Sequence, residues 1–424
     1  MNILLLGSGG REHAFALKIS ESPLLSNLFI APGNSGTAQC GTNVNITATD
    51  FATLRTFCVK NKIEMLVVGP EQPLAEGVRD YFEADETLKH IAVIGPDKKG
   101  ATLESSKDFA KEFMFKHNIP TANYKTFNGE QLNQAKTYIK ADNSGNPVVL
   151  KADGLAAGKG VIIAPTKKEA LQEIEEMLGG KFGAASAKVV IEEFLTGLEF
   201  SVFVLTDGKS YQLLPTAKDY KRVGEADTGL NTGGMGAISP VPFVDDVLMQ
   251  KVINQVVEPT IKGLQTEGIN YKGFIYFGLI NCGGEPKVIE YNCRMGDPET
   301  EAVFPLIETD FVKLFKAVAN NTIGTQNLTI KPQTAATIIL ASGGYPESYE
   351  KGKTISGIET VTDSIVFHAG VKQTEQGLQT SGGRVLALTS LANSMEEALA
   401  LSYKNAEKIK FEKKFCRKDI GFDL

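Results

Sequence analysis

The sequence predicts a multidomain protein that opens as a doubly wound α/β domain with a parallel sheet and continues as two α+β units. Three observations carry this. The first hundred residues alternate between short apolar strands and helices, the texture changes at Ser105, and 424 residues are enough for about three domains. In order, the opening unit reads as strand from Asn2 to Leu6, helix from Glu12 to Ser20, strand from Leu28 to Ala31, helix from Phe51 to Asn61, strand from Met65 to Val68, helix from Leu74 to Phe82 and strand from Ile91 to Ile94. In such a sheet, ligands gather at the carboxyl ends of the strands. Those ends are Gly7-Ser8-Gly9-Gly10-Arg11-Glu12, Pro32-Gly33-Asn34 and Gly69-Pro70-Glu71, each bearing glycine.

The first of these ends begins like a dinucleotide fingerprint, but Glu12 stands where the third glycine belongs and the second strand closes without a ribose-binding acid. A nicotinamide cofactor is therefore not expected. What remains is a glycine turn opening a helix, whose free N–H groups and dipole favour a phosphate, with Arg11 beside it. A tight strand-to-helix turn without a ligand would read the same way.

From Ser106 a helix runs to just before Asn118, followed by strand from Tyr124 to Phe127, helix from Glu130 to Ile139 and strand from Val148 to Lys151. Next comes LKADGLAAGKGV, Leu150 to Val161, a strand ending in lysine and a small-residue loop leading into a second strand. With Lys151, Gly158, Lys159 and Gly160 it describes a flap able to lie against polyphosphate; the alternative is a glycine hairpin with solvated lysines. It is not a Walker A loop, because Gly160 replaces the Ser or Thr and a strand follows where a helix is required. The strand Val189 to Leu195 ends in Glu192, Glu193, Phe194 and Leu195, with Glu199 shortly after. Such a strand end can pair with an adenine edge while a carboxylate accepts from ribose hydroxyls. The stretch from Val223 to Pro240, rich in glycine, reads as a long loop and a lid.

A helix from Asp246 to Gln265 and strands Phe274 to Asn281 and Pro286 to Arg294 follow. In KVIEYNCRMGDPETE, Glu290 and Asn292 lie two apart, so strand alternation points both oxygens to one face, and Arg294 falls on that face at the next step. Hard oxygen donors suit Mg²⁺, and the guanidinium suits phosphate or carboxylate; a salt-bridged strand end is the plain alternative. Helix Asp310 to Ala319, a linker at Asn320 to Gly324, strands Ala335 to Leu340 and Val385 to Leu388 and a helix from Met395 to Lys408 complete the chain. Arg384 reads equally as a phosphate ligand or as a surface arginine beside a turn.

Charge and cysteine usage narrow the classes further. The net charge of −6 argues against a nucleic-acid surface, leaving small anionic substrates to be met by local cations. Five cysteines without a CxxC pair read as a reduced, cytoplasmic protein, and no apolar run approaches the about 20 residues that span a bilayer. No nucleophilic triad emerges from four histidines.

The segments GSGGREHA at Gly7, LKADGLAAGKGV at Leu150, NTGGMGA at Asn231 and RMGDPETE at Arg294 together resemble the ATP-grasp superfamily of carboxylate–amine ligases, over essentially the whole chain. The resemblance implies an N-terminal substrate domain at 1–104, an ATP-grasp domain at 105–325 with a mobile lobe at about 122–193, and a C-terminal α+β domain at 326–424. It implies ATP with Mg²⁺ or Mn²⁺, and ligation of glycine to 5-phospho-β-D-ribosylamine through glycyl phosphate, a step of purine biosynthesis, in a chain expected to act as a monomer. Catalysis would fall to Lys151, Asp219 and Arg294; nucleotide binding to Lys107, Lys151, Gly158, Lys159, Gly160, Glu192, Glu193, Phe194, Leu195 and Glu199; metal binding to Glu290 and Asn292. Substrates would meet Gly9, Gly10, Arg11, Glu12, Asn34, Glu71, Asp219, Arg294, Asp297 and Arg384. Another ligase of the superfamily, or a regulatory nucleotide binder without turnover, are the competing readings.

Overall fold

The computed structural model describes residues 1–156 and 160–424. The apolar run after Met1 forms β1 (Asn2–Gly7), buried from Ile3 onward, which is why it takes the centre of a parallel sheet rather than an edge. Around it lie α1 (Gly10–Ser20), β2 (Asn27–Pro32), β3 (Thr42–Asn43), α2 (Phe51–Lys60), β4 (Met65–Val68), α3 (Glu71–Glu76), α4 (Val78–Ala84) and β5 (Ala92–Ile94). The strand order β3-β2-β1-β4-β5 puts the topological switch point between β1 and β4.

Two consecutive helices, α5 (Lys98–Ser105) and α6 (Lys107–Lys116), bridge to the second region, separated by Ser106, whose hydroxyl caps α6 by accepting from the Phe109 N–H. There, β6 (Tyr124–Asn128), α7 (Leu132–Ala141), β7 (Val148–Ala152), β8 (Val161–Ala164), α8 (Lys167–Leu178) and β9 (Lys188–Glu193) build an antiparallel sheet of order β6-β9-β7-β8 with its own small core. A second antiparallel sheet has β10 (Leu198–Thr206) beside β11 (Tyr211–Leu213) and, later in the chain, two long strands that carry site residues.

The expected loop and lid from Val223 to Pro240 is replaced by strands. After β12 (Lys218–Asp219) come a hairpin of β13 (Arg222–Gly224) with β14 (Thr228–Asn231), and then β15 (Gly236–Ser239). β15 is buried throughout, and Met235 before it is fully enclosed. The glycines that suggested a flexible loop instead allow close approach: a side chain at Gly236 would run into Ile420 and the Thr337 carbonyl.

The expected helix from Asp246 to Gln265 is one rod in three parts: α9 (Asp246–Val252), a π turn at Ile253–Val257, and α10 (Glu258–Thr266), where Pro259 lacks the N–H that regular bonding would need. β16 (Gly273–Cys282) and β17 (Glu285–Asn292) then complete the sheet β11-β10-β16-β17. After α11 (Glu299–Val303) and α12 (Phe311–Ala319), β18 (Thr334–Ala341), β19 (Ile365–His368), β20 (Val371–Thr374), β21 (Gly377–Thr380), β22 (Arg384–Ala392) and α13 (Met395–Ala406) follow. β12 and β15 join β18, β22 and β19 in one five-stranded sheet, so segments about a hundred residues apart share a ladder. Among the described residues, no helix is long and apolar enough to cross a membrane.

Candidate functional site

The ladder of β16 against β17 sets the central face. Tyr276 lies opposite Asn292 and Gly278 opposite Glu290, and Gly278 leaves room because a side chain there would press on the Glu290 stem. The register slips next to this pair, since Leu279 lies opposite Val288, so Ile289 is the bulged residue. Its carbonyl accepts from the Lys151 ammonium at 3.1 Å, which brings the end of β7 beside Glu290.

Lys151 is buried and also pairs with Glu192 at 3.0 Å; Lys111, likewise buried, meets the same carboxylate oxygen at 3.1 Å. Glu192 is therefore turned toward two lysines, its other oxygen lacking a hydrogen-bond partner among the described residues. Lys107 leans on the carbonyls of Asp153 and Gly154 at 3.5 and 3.4 Å, and burial lowers its ammonium pKa against the pull of Glu290. Glu193 is exposed, accepting from Asn123 and lying 3.6 Å from Lys287; Phe194 and Leu195 are half-buried. Gly160 abuts Ala152 and Ala156. Gly158 and Lys159 lie outside the described residues.

The Glu290 carboxylate has no hydrogen bond or ion pair among the described residues, while the Asn292 Oδ1 accepts from Arg294 at 3.2 Å. One free carboxylate and one amide oxygen, next to Lys107 and Lys151, fit a hard cation that draws its other ligands from phosphate and water. The described residues hold no cluster of three or more acidic, His or Cys side chains suited to a metal.

Beside this face is a small cleft lined by Glu199, Ser201, Asp219, Lys221, Tyr276 and Glu290, among others. Lys221 lies 3.0 Å from Glu199 and 3.6 Å from Asp219. Burial raises the Asp219 carboxyl pKa, with Lys221 opposing. Glu299, buried at the start of α11, is pushed up to about 7 by burial and then by the charge of Asp219. The Tyr276 hydroxyl accepts from Ser201 at 3.0 Å. Carboxylates around one lysine and a tyrosine can receive a small zwitterion.

Arg294 leaves the end of β17 into an acidic clamp, with Glu104 at 2.8 Å and Glu71 at 3.5 Å. Burial works against ionised Glu71, but Arg294 and then Arg11 bring its carboxyl below the usual range. Glu71 therefore ties the N-terminal sheet to the arginine.

At the switch point, Glu12 fills the crevice itself. Its carboxylate accepts from the Gly9 N–H at 2.6 Å, which satisfies the N-cap of α1, and from Arg11 Nε at 2.7 Å, and its stem lies where side chains at Gly7 and Gly69 would be. This explains a glutamate in place of the third glycine. Arg11 also donates to the Met295 carbonyl at 3.2 Å. Gly10 is buried against the Glu301 carboxylate. Asn34 donates to the carbonyls of Ser8 and His368 at 2.8 and 2.7 Å, and its own oxygen accepts from Gly36 and Thr37, so its side chain staples strand-end loops together. Arg384 pairs with Asp297 at 2.9 Å and donates to the Gly233 carbonyl.

Sequence reasoning did not single out Glu104, Lys221, Glu299 or Glu301. Glu104 carries no local signal, being one acid in a helix. Lys221 was legible, because strand alternation from Asp219 puts it on the same face. Glu299 and Glu301 lie inside RMGDPETE, and only their burial distinguishes them from surface acids.

Comparison with known proteins gives concordant matches. Family models of phosphoribosylglycinamide synthetase match in three parts, the N domain at residues 1–104, the ATP-grasp (A) domain at 105–300 and the C domain at 335–423. A phosphoribosylamine–glycine ligase of Vibrio cholerae is 45% identical over 428 residues, covering 100% of this chain and 98% of the relative. That of Pasteurella multocida is 46% identical over 427 residues, with the same coverage. The crystal structure of phosphoribosylamine–glycine ligase from Thermotoga maritima superposes with a TM-score of 0.86 at 35% identity, covering 99% of this chain and 100% of that one. The N5-carboxyaminoimidazole ribonucleotide synthetase of the same organism, at 16% identity and a TM-score of 0.65 over 97% of this chain and 99% of that one, shares the fold.

Proposed function

From the premise that this chain belongs to the phosphoribosylglycinamide synthetase family, we propose that it ligates glycine to 5-phospho-β-D-ribosylamine, giving N1-(5-phospho-β-D-ribosyl)glycinamide, ADP and phosphate. The observation that carries the site assignment is the convergence of Lys107, Lys151, Glu290, Asn292 and Arg294 on one strand-end face beside a small cleft lined by carboxylates.

A glycine carboxylate attacking the γ-phosphate meets repulsion between anions, so cations must offset charge while the groups are held in line. Lys107 and Lys151 face the phosphates and Arg294 the carboxylate, while Asp219, with Glu299 near it, receives the glycine ammonium. Glu290 and Asn292 would hold Mg²⁺ or Mn²⁺, which neutralises phosphate charge when bound. The attack forms an O–P bond and releases ADP. The amine nitrogen of phosphoribosylamine then adds to the carbonyl carbon of glycyl phosphate, loses a proton, and phosphate leaves with one oxygen of the original carboxylate. Water must be kept out, because it would open the acyl phosphate instead; the flap around Lys159 is proposed for this.

The ribosyl phosphate is proposed to lie at the α1 N-terminus near Gly9 and Arg11. Glu12, Asn34 and Arg384 shape that region through their own hydrogen bonds. The units 1–104, 105–325 and 326–424 are proposed as working domains. Action on small molecules without nucleic acid is proposed from the net charge of −6, a cytoplasmic location from the reduced-thiol composition, and a monomer from the family resemblance.

The reaction is tested by turnover with glycine carrying ¹⁸O in both carboxylate oxygens. One label should appear in inorganic phosphate, with ADP as the nucleotide product. Label in AMP together with pyrophosphate would mean attack at the α-phosphorus and would overturn the phosphate assignments. No ADP release with both substrates present would favour a nucleotide binder without turnover.

A further inference from the structure

The strand that lines the glycine cleft is very short. β12 contains only Lys218 and Asp219, facing Ile238 and Ala237 of β15, and the chain leaves it through Tyr220 and Lys221. Strand alternation sends Asp219 and Lys221 into the cleft and Lys218 and Tyr220 to the opposite side. Backbone bonds flank the two ladder pairs, the Tyr220 N–H donating to the Gly236 carbonyl at 3.1 Å and the Ala217 N–H to the Ser201 carbonyl at 3.0 Å, so the register is set and what the outward side chains rest on decides how firmly the strand is seated.

The opposite side is held by a segment about two hundred residues away. The Tyr220 hydroxyl donates to Asp423 Oδ1 at 3.0 Å, and the Lys218 ammonium lies 3.1 Å from Asp423 Oδ2, so one carboxylate grips both outward side chains. Tyr220 and Lys218 are buried, and besides Asp423 the Lys218 ammonium donates to the Glu199 carbonyl at 3.4 Å and lies 5.4 Å from the Tyr220 ring centroid. The segment is itself fastened. Arg417, fully enclosed, meets Asp419 at 2.8 Å and Asp227 at 2.7 Å and donates to the Arg222 carbonyl at 3.1 Å, while Asp419 accepts from the Ala226 N–H at 2.6 Å. The Arg417 guanidinium also lies 5.3 Å from the Tyr220 ring centroid, and Ile420 packs on Gly236.

We infer that Asp423 is a positioning residue for glycine binding: by gripping Lys218 and Tyr220 from behind, it holds the strand seated where Asp219 and Lys221 face the cleft. This rests on the reading of Asp219 as a receiver of the glycine ammonium. Asp423 touches no reacting group. Its removal acts on the glycine side of the reaction, because Lys107 and Lys151 hang from other elements.

The test is steady-state kinetics on the full chain for Asp423→Asn, Lys218→Met, the double variant, and Asp219→Asn. Asp423→Asn keeps the shape but loses the ion pair with Lys218, the same contact that Lys218→Met loses. The expected result is a rise in the KM for glycine of roughly tenfold with the KM for ATP unchanged, less than the about 10²-fold that misplacing reacting groups by an ångström costs. Lys218→Met and the double variant should show much the same rise as Asp423→Asn, because each breaks the same contact. An unchanged glycine KM in Asp423→Asn, equal weakening of both substrates, or losses that add in the double variant would overturn the brace. A raised glycine KM in Asp219→Asn with none in Asp423→Asn defeats the brace alone; no effect in Asp219→Asn defeats the pocket reading beneath it.

Discussion

Glu104 grips Arg294 and the backbone behind it at once: one carboxylate oxygen lies 2.8 Å from the guanidinium and the other accepts from the Cys293 N–H at 2.7 Å. Burial raises the Glu104 carboxyl pKa and Arg294 draws it back, so its ionised form depends on the arginine. Glu104→Gln keeps the shape and removes the charge that aims Arg294. The expected outcome is a fall in kcat/KM for glycine of about tenfold or more, in line with losing a charge-assisted hydrogen bond. Steady-state kinetics with saturating ATP check it; full activity would show that Glu71 alone suffices to orient Arg294.

For Glu290, the free carboxylate is the point. Glu290→Gln should lower kcat by about 10²-fold, comparable with losing one electrostatic contact to the transition state, and raise the Mg²⁺ concentration needed for half activity. Thermal unfolding should change little, because the described residues offer that carboxylate no partner to lose. Near-normal turnover at limiting Mg²⁺ would remove Glu290 from the metal site.

Much of this arrangement can be read from the sequence, and its gaps have physical causes. Glu290, Asn292 and Arg294 follow from strand periodicity, because alternation is local. The N-terminal sheet follows from its regular strand and helix rhythm. The segment from Val223 to Pro240 does not, since Gly236–Ser239 becomes a strand only through pairing with Thr334–Ala341, and glycines chosen for close packing look like glycines chosen for freedom. Gly10 shows the same ambiguity. It reads as a phosphate-facing glycine, yet any side chain there would strike the Glu301 carboxylate. Gly10→Ala should therefore destabilise by about 1–3 kcal/mol, as overpacking does. Urea unfolding measures it, and an unchanged midpoint would leave the phosphate role as the reason for glycine.

The glycine cleft should respond to pH through Glu299, whose carboxyl is pushed up to about 7 by burial and by Asp219. Below that pH it is neutral, and above it a second negative charge stands near Asp219, behind the cleft's Tyr276. The KM for glycine in wild type should fall as pH rises through about 7, and Glu299→Gln should flatten that profile. An inflection that persists in the variant would belong to another group.

Glu301 provides a test in stability alone. It is fully enclosed, both carboxylate oxygens lack hydrogen-bond partners among the described residues, and burial and then Asp297 raise its pKa well above the ordinary 4.5. The folded protein therefore holds it neutral, while the unfolded chain ionises it near 4.5. Between these two values the unfolded state binds fewer protons than the folded state. Stability contributed by this group is fully present below the unfolded value and is lost as pH rises toward the folded one, at about 1.4 kcal/mol per pH unit. Glu301→Gln carries no such proton. Its amide also lacks partners, but that cost does not vary with pH. In urea unfolding across a pH series from 5 upward, wild type should lose stability relative to the variant as pH rises, and the difference should level off in acid. Parallel stability curves would mean that Glu301 is ionised in the fold, with Arg384 and Arg11 supplying the compensation that their guanidinium charges offer it.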